Sequence, residues 1–368
     1  MAQPTTAEPS REEMMALYAE CTTFIGTRRR SGESMLALIG ATPEMDSYGA
    51  GGAVEELEGE ISALLGKEAA VFFPTGTMAQ QIALRVHADA RGRRGVVMHP
   101  KCHLDTHEER GYELLHGLHA IQASSAELPM TAQSLQPIHE PAAALLVELP
   151  QRDIGGVLPT WVDLQEQVQW ARKRNIATHM DGARLWEAAP YYAATAGVDH
   201  AQIAALFDTV YVSFYKGLGG IAGAVVAGPT ELVEQMKVWR IRHGGRMYGM
   251  WPYAAAALNA VKLRLPLMPS FYERAVAIGQ ALESIPGIEV MPNPVQSPMM
   301  HVRIAGCKEA VMSRMRDLAR DERVWMFGGP FASDSPNLQR FEYNVGEGTM
   351  ELTVEQVAGY FSRIAGAE

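Results

Sequence analysis

Cysteine is scarce in these 368 residues: Cys21, Cys102 and Cys307 are the full set. Three scattered thiols build neither a disulfide framework nor a cysteine-rich zinc site. They fit a reducing compartment, so a cytoplasmic location is expected. Basic charge is also short. Lys and Arg number 32 against 42 Asp and Glu, a net charge of −10. That balance argues against nucleic acid or an anionic membrane surface as the partner. Long apolar runs are missing as well, since Ala142 to Leu149 is strand-sized and far too short to span a bilayer. The opening MAQPTTAEPSREE lacks the basic and apolar regions of a secretory signal, and Pro4, Thr5, Thr6 and Pro9 suit a mobile tail. There is no internal repeat. What remains is a chain with 47% hydrophobic residues, long enough for two domains.

Between residues 50 and 260, short unalternated apolar runs alternate with amphipathic ones. Strands are expected at AVFF (70–73), GVVM (95–98), LHAIQ (118–122), AALLVEL (143–149), NIATHM (175–180), TVYVSF (209–214) and AGAVVAG (222–228). Helical spacing separates most of them, which predicts an α/β fold whose mostly parallel sheet is covered on both faces. Pro266 and Pro269 end a long Ala-rich helix, Tyr253 to Leu265. Beyond about residue 270 the rhythm changes to a smaller α+β domain with strands near HVRIA, VWMF and QRFEYNV. Thr353 and Gln356 form a capping box for a last helix. The expected division is 1–45 (mobile tail plus a helix, part of the small domain or an interface), 46–262 (large domain) and 263–368 (small domain).

In open α/β sheets, ligands bind beyond the carboxyl ends of the strands. Four such ends carry reactive groups. Thr75-Gly76-Thr77 leads from a strand into a helix, as a phosphate cradle or as an ordinary N-cap turn. Asp181, at the tip of a buried strand, pairs with Arg184 or with a protonated nitrogen on a ligand. Lys216 stands at the end of TVYVSF before a run of glycines, as a nucleophilic amine or as a solvated cation. His99, His103 and His107 cluster after GVVM without metal-ligand spacing, so no metal is expected and a ring-stacking or acid/base role suits one of them. Taken together, a cradle, a histidine, Asp181 and Lys216 occur in the order that holds pyridoxal phosphate.

With these motifs in place, the sequence resembles the threonine aldolases of the β-eliminating lyase group, which are fold-type I pyridoxal-phosphate enzymes. The stretches that carry the resemblance are Tyr48-Gly49, GKEAAVFFPTGTMAQQIAL, HLDTHEERG, HMDGARLW, VSFYKGLGGIAGAVVAG and GGRM. It implies an aspartate-aminotransferase-like fold with a seven-stranded sheet. It implies that Lys216 is the Schiff-base lysine, that Asp181 pairs with the pyridine nitrogen and that Arg184 sits near the ring hydroxyl. It further implies that His103 stacks on the ring and that Thr75, Gly76 and Thr77 hold the phosphate. Arg246 matches an arginine that reaches a cofactor phosphate in a neighbouring subunit. Arg340 matches one that binds the substrate carboxylate, His139 matches a second site histidine, and Tyr48 joins the substrate set.

The implied reaction is cleavage of the Cα–Cβ bond of a threonine-like β-hydroxy-α-amino acid to glycine and an aldehyde, with His103, His139 or a water as base. The alternatives are β-elimination or other Cα chemistry on a different amino acid, and a cofactor-binding protein without turnover. The partners expected are an amino acid substrate and copies of the same chain, as a homodimer or homotetramer with sites at the subunit interface. Departures fall on substrate-facing stretches. Gly26 to Gly32 replaces a Ser-Asp-Thr segment, Glu148 to Asp153 replaces a Glu-Asn-Thr-His-Asn stretch, and Tyr215 replaces the serine before the lysine. Arg28 to Arg30 is either an acidic-group reader or a solvated basic run.

Overall fold

A computed structural model describes residues 10–40, 44–331 and 335–367. The expected mobile tail at Pro4, Thr5, Thr6 and Pro9 lies outside these residues. The chain forms two compact units. Arg30 to Tyr272 makes one, and the N-terminal segment through Arg29 joins Glu273 onward to make the other.

The larger unit is built on seven strands: β1 (Ala69–Phe73), β2 (Gly95–Met98), β3 (His119–Gln122), β4 (Ala142–Glu148), β5 (Ala177–Gly182), β6 (Thr209–Ser213) and β7 (Ala224–Gly228). Their order across the sheet is β1-β7-β6-β5-β4-β2-β3. All neighbours run parallel except β7, which is antiparallel to both β1 and β6. Each of the seven apolar runs in the sequence contributes one strand. Residues of β4, β5, β6 and β7 are buried almost without alternation, as a sheet covered on both faces requires.

Helix Gly76–Arg91 lies across the centre of this sheet. Thr75 caps it by accepting from the Met78 N–H, and Gly92 ends it in a left-handed conformation. It buries Ile82, Leu84 and Val86, each worth roughly 1.5–3 kcal/mol. Its buried face also carries Gln80 and His87, seven residues apart and therefore on one side of the helix.

Register decides which side chains meet. Glu148 lies opposite Asp181, and Asp181 lies opposite Tyr211. Two residues earlier, Leu146 lies opposite His179 and His179 opposite Thr209. Because side chains alternate with period two, these six share the sheet face that helix Gly76–Arg91 covers.

The smaller unit has a three-stranded antiparallel sheet of Ile288–Met291, Met299–Ala305 and Leu338–Asn344, with Met299–Ala305 in the centre. The outer strand Ile288–Met291 is not among the sequence expectations. The run VWMF supplies only a two-residue pairing, Val324–Trp325 with Thr23–Phe24. The Thr353–Gln356 capping box is present. Among the described residues, no helix is long and apolar enough to cross a membrane.

Candidate active site

Asp181 is the penultimate residue of β5 and 2% exposed. Its Oδ1 accepts the Ala183 N–H at 3.0 Å, and the Gln80 side chain hydrogen-bonds the same carboxylate. Burial raises its pKa, opposed chiefly by the charge of His103. Beside it, burial and the Asp181 charge push Glu148 up to about 8. Glu148 is held by three donors: the His103 N–H at 3.3 Å, the Gln151 Nε2 at 2.9 Å and the Arg152 N–H at 3.1 Å.

His103 opens a short helix after β2 and is half-buried. Burial lowers its pKa, but the Nδ1 hydrogen bond to Glu108 at 3.0 Å and the Asp181 and Glu148 charges outweigh that, so the net shift is upward. The other two histidines of the cluster have partners of their own. His99 accepts the Lys101 N–H on Nδ1 and meets the Leu128 carbonyl through Nε2, and His107 pairs with Asp153. No group of three potential ligands suited to a metal occurs among the described residues.

Lys216 lies three residues past β6, half-buried, with its Nζ 4.9 Å from the centre of the Tyr215 ring. The backbone turns away at once. Gly219 has φ +64°, and a side chain there would strike the Arg30 guanidinium, which donates to the Gly219 carbonyl at 2.5 Å. Buried Glu187 accepts the Gly217 N–H at 2.9 Å and feels the charges of Arg184 and Lys216. Arg184 precedes the helix Leu185–Ala196 that carries Glu187. Tyr211 joins Tyr215, the residue before Lys216, to the cradle. Its hydroxyl bonds the Tyr215 side chain, and it sits so close to Gly76 that a Cβ there would come within 2.1 Å.

Thr75 and Thr77 flank Gly76 as exposed hydroxyls at the start of a 16-residue helix. Thr75 serves as the N-cap, and the backbone N–H groups of Gly76 and Thr77 open the helix, a ready anion site. Gly245 packs against Met78 of the same turn, which brings the Arg246 segment to the cradle's edge. Arg246 donates to the Tyr48 carbonyl at 3.3 Å and lies 5.2 Å from the centre of its ring. Tyr48 in turn packs edge-on against Tyr248.

Asp46 holds this corner. It is 5% exposed and accepts the Met250 and Trp251 N–H groups on Oδ1 and the Gly49 N–H on Oδ2, each at 2.7 Å. An Asp46→Ala variant strands three donors, at about 1–3 kcal/mol each. It is expected to lose at least about 3 kcal/mol in urea unfolding. An unchanged midpoint would show that the corner does not depend on it.

The larger unit thus brings together Thr75, Gly76, Thr77, His103, Asp181, Arg184 and Lys216 along the carboxyl edge of the sheet, with Tyr48 and Arg246 beside the cradle. It does not bring His139. That residue is exposed ahead of the first residue of β4, at the opposite edge from Glu148, and a seven-residue strand spans roughly 23 Å. The placement of His139 in the site is therefore corrected. Arg340 belongs to the smaller unit, on Leu338–Asn344, 5.1 Å from the Phe331 ring centre. The basic run divides: Arg28 and Arg29 are exposed, as a solvated run expects, and Arg30 is half-buried. Arg28 pairs with Glu351, Arg29 donates to the Ala19 carbonyl, and Arg30 braces the Lys216 loop.

Gln80, Glu187 and Tyr211 of this edge are absent from the sequence expectations, and Glu148 stands there only as the first residue of a departing stretch. The rule that singled out Asp181, a carboxylate at the tip of a buried strand, applies equally to Glu148.

These groups fit pyridoxal phosphate. A buried carboxylate whose charged form is supported by hydrogen bonds from the Ala183 N–H and Gln80 suits a protonated ring nitrogen. The helix start suits a phosphate, and an amine stands on the same edge. The comparisons agree. The beta-eliminating lyase family matches residues 29–305. The low-specificity L-threonine aldolase 1 of Arabidopsis thaliana is 27% identical over 304 residues, covering 80% of this chain and 83% of its own. A solved Exiguobacterium structure, described as a candidate aromatic amino acid beta-eliminating lyase/threonine aldolase, superposes with a TM-score of 0.90 at 34% identity, over 96% of this chain and 99% of that one. A candidate L-allo-threonine aldolase from Listeria monocytogenes gives 0.90 at 33%, with the same two coverages. With cofactor groups, fold and sequence agreeing, this chain belongs to the beta-eliminating lyase family and is a pyridoxal-phosphate-dependent lyase of fold type I.

Proposed function

We propose that this lyase cleaves the Cα–Cβ bond of a β-hydroxy-α-amino acid, releasing glycine and an aldehyde. The observation that carries this reading is the gathering of Lys216, Asp181, His103 and the helix start at Gly76 on one sheet edge, in a chain whose curated relatives include low-specificity threonine aldolases of Arabidopsis thaliana and Escherichia coli. Bound there, pyridoxal phosphate supplies an electron sink for negative charge at Cα.

The residues divide the remaining work. Lys216 supplies the amine that anchors the cofactor until the substrate amine replaces it. Asp181 holds the proton on the ring nitrogen. Thr75, Thr77 and the N–H groups at the start of their helix receive the phosphate. Arg246 adds a cation beside that cradle, and Arg184 is assigned the ring hydroxyl. His103 covers the ring face. Its Nδ1 is engaged by Glu108, so its Nε2 is the atom that takes the proton from the β-hydroxyl. Tyr48 and Arg340 are assigned to the substrate, Arg340 to its carboxylate, on the resemblance alone. The same resemblance supports a homodimer or homotetramer, and the scarcity of cysteine supports a cytoplasmic location.

Incubation of the purified holoenzyme with threonine, allo-threonine and phenylserine is expected to give glycine and the matching aldehyde in equal amounts. Pyruvate or another keto acid with ammonia, and no glycine, would move the chain to β-elimination.

A further inference from the structure

Beneath helix Gly76–Arg91, a file of polar side chains runs through the core away from Asp181. The Gln80 side chain bonds the Asp181 carboxylate. Gln80 Oε1 meets His179 Nε2 at 2.8 Å, His179 Nδ1 meets Thr209 Oγ1 at 2.8 Å, and Thr209 Oγ1 meets His87 Nε2 at 2.7 Å. Exposure is 2% or less for all five residues. Four polar groups in a row are costly in a core unless they are mutually satisfied, and nothing in the reaction uses them directly.

The direction of the file follows from counting protons. Burial lowers both histidines to about 3, so each ring is neutral and carries one N–H. Thr209 has one proton to give and a histidine nitrogen on either side. If that proton goes to His87, then His87 holds its own on Nδ1, and His179 holds its on Nδ1 to reach Thr209. His179 Nε2 must then accept from the Gln80 amide, which turns the Gln80 carbonyl toward the Asp181 carboxylate, acceptor against acceptor. The same arrangement leaves an N–H at His87 Nδ1, which is buried with no hydrogen-bond partner. Orphaned buried donors are rarer and costlier than orphaned lone pairs. Both ends of the file reject this direction.

We infer that His87, Thr209, His179 and Gln80 form a one-way donor chain, each giving its proton toward Asp181 and ending in the Gln80 amide on the carboxylate. These four are positioning residues. Hydrogen bonds that all point one way polarise one another, and a donor chain ending on a carboxylate favours its charged form. With the Ala183 N–H on one oxygen and Gln80 on the carboxylate, Asp181 is held ionised and oriented against the burial that would protonate it. The inference rests on the proposed role of Asp181 at the ring nitrogen.

The decisive measurement is nitrogen NMR of the holoenzyme labelled in histidine. His87 and His179 are both expected as the Nε2–H tautomer. A His179 carrying its proton on Nδ1 would overturn the chain. A second measurement reads its effect. Thr209→Val keeps the shape and removes the relay, and is expected to weaken cofactor affinity about tenfold, with Thr209→Ser restoring it. Equal affinity in the valine variant would also overturn the chain. Asp181→Ala separates the two ideas: wild-type cofactor affinity in that variant would sink the role of Asp181 itself, whatever the tautomers.

Discussion

Replacing Lys216 with alanine is expected to abolish the visible absorbance of lysine-bound cofactor and to cut turnover by at least about 10³-fold. The amine is set by the end of β6, and the chain after it is committed to turning away: Gly217 is clamped to Glu187, and Gly219 to Arg30. Folding should change little, because Lys216 is half-buried and the neighbouring backbone is held by other residues. Lys216→Arg sharpens the test. Arginine keeps the positive charge beside Glu187 but stays protonated and is no nucleophile. If charge alone mattered, this variant would retain activity. Both variants are expected to fail alike. An alanine variant that kept the visible band would remove Lys216 from the mechanism and with it the cofactor geometry proposed above.

What the sequence made legible was determined by locality. All seven large-unit strands were visible because a strand buried on both faces shows an unbroken apolar run, and each was bounded by turn residues. Asp181 and Lys216 stood out because a charge at the end of such a run is costly and needs a reason. Glu148 obeys the same rule, but its oddness lies in its neighbour, since it matters through the register that sets it against Asp181. Tyr211 and Thr209 were hidden because tyrosine and threonine are ordinary strand residues. Only their pairing across β5 and β6 places one under the cradle and the other between two histidines. His139 failed for the converse reason. It was matched to a family histidine by its place along the chain just ahead of β4, whereas in a parallel sheet the two ends of a strand face opposite edges. Arg30 shows the same limit. A basic run looks solvated until the fold brings Gly219 to its third arginine.

Gly76→Ala is expected to weaken cofactor binding sharply through one added methyl group. An ideal Cβ at residue 76 would lie 2.1 Å from the Tyr211 hydroxyl and 2.9 Å from the ring carbon that bears it. Neither neighbour yields easily. Tyr211 is 3% exposed, packed in the core with Phe73, Ala79 and Val226, and its hydroxyl bonds the Tyr215 side chain. Overpacking of this kind costs about 1–3 kcal/mol. The strain falls on the first turn of the helix whose N–H groups are to receive the phosphate, so cofactor affinity should drop more steeply than stability. We expect at least about a tenfold loss, corresponding to 1.4 kcal/mol at the site. Gly59→Ala is the internal control. It sits in helix Gly52–Leu64 with nothing within 4 Å of its would-be Cβ. There the same substitution should stabilise by roughly 0.5–1 kcal/mol, because alanine loses less backbone freedom on folding. Adding Tyr211→Phe to Gly76→Ala removes the nearest clashing atom and should recover part of the loss, a coupling visible in a double-mutant cycle. Wild-type cofactor affinity in the single Gly76→Ala variant would show that the helix start is not where the phosphate binds.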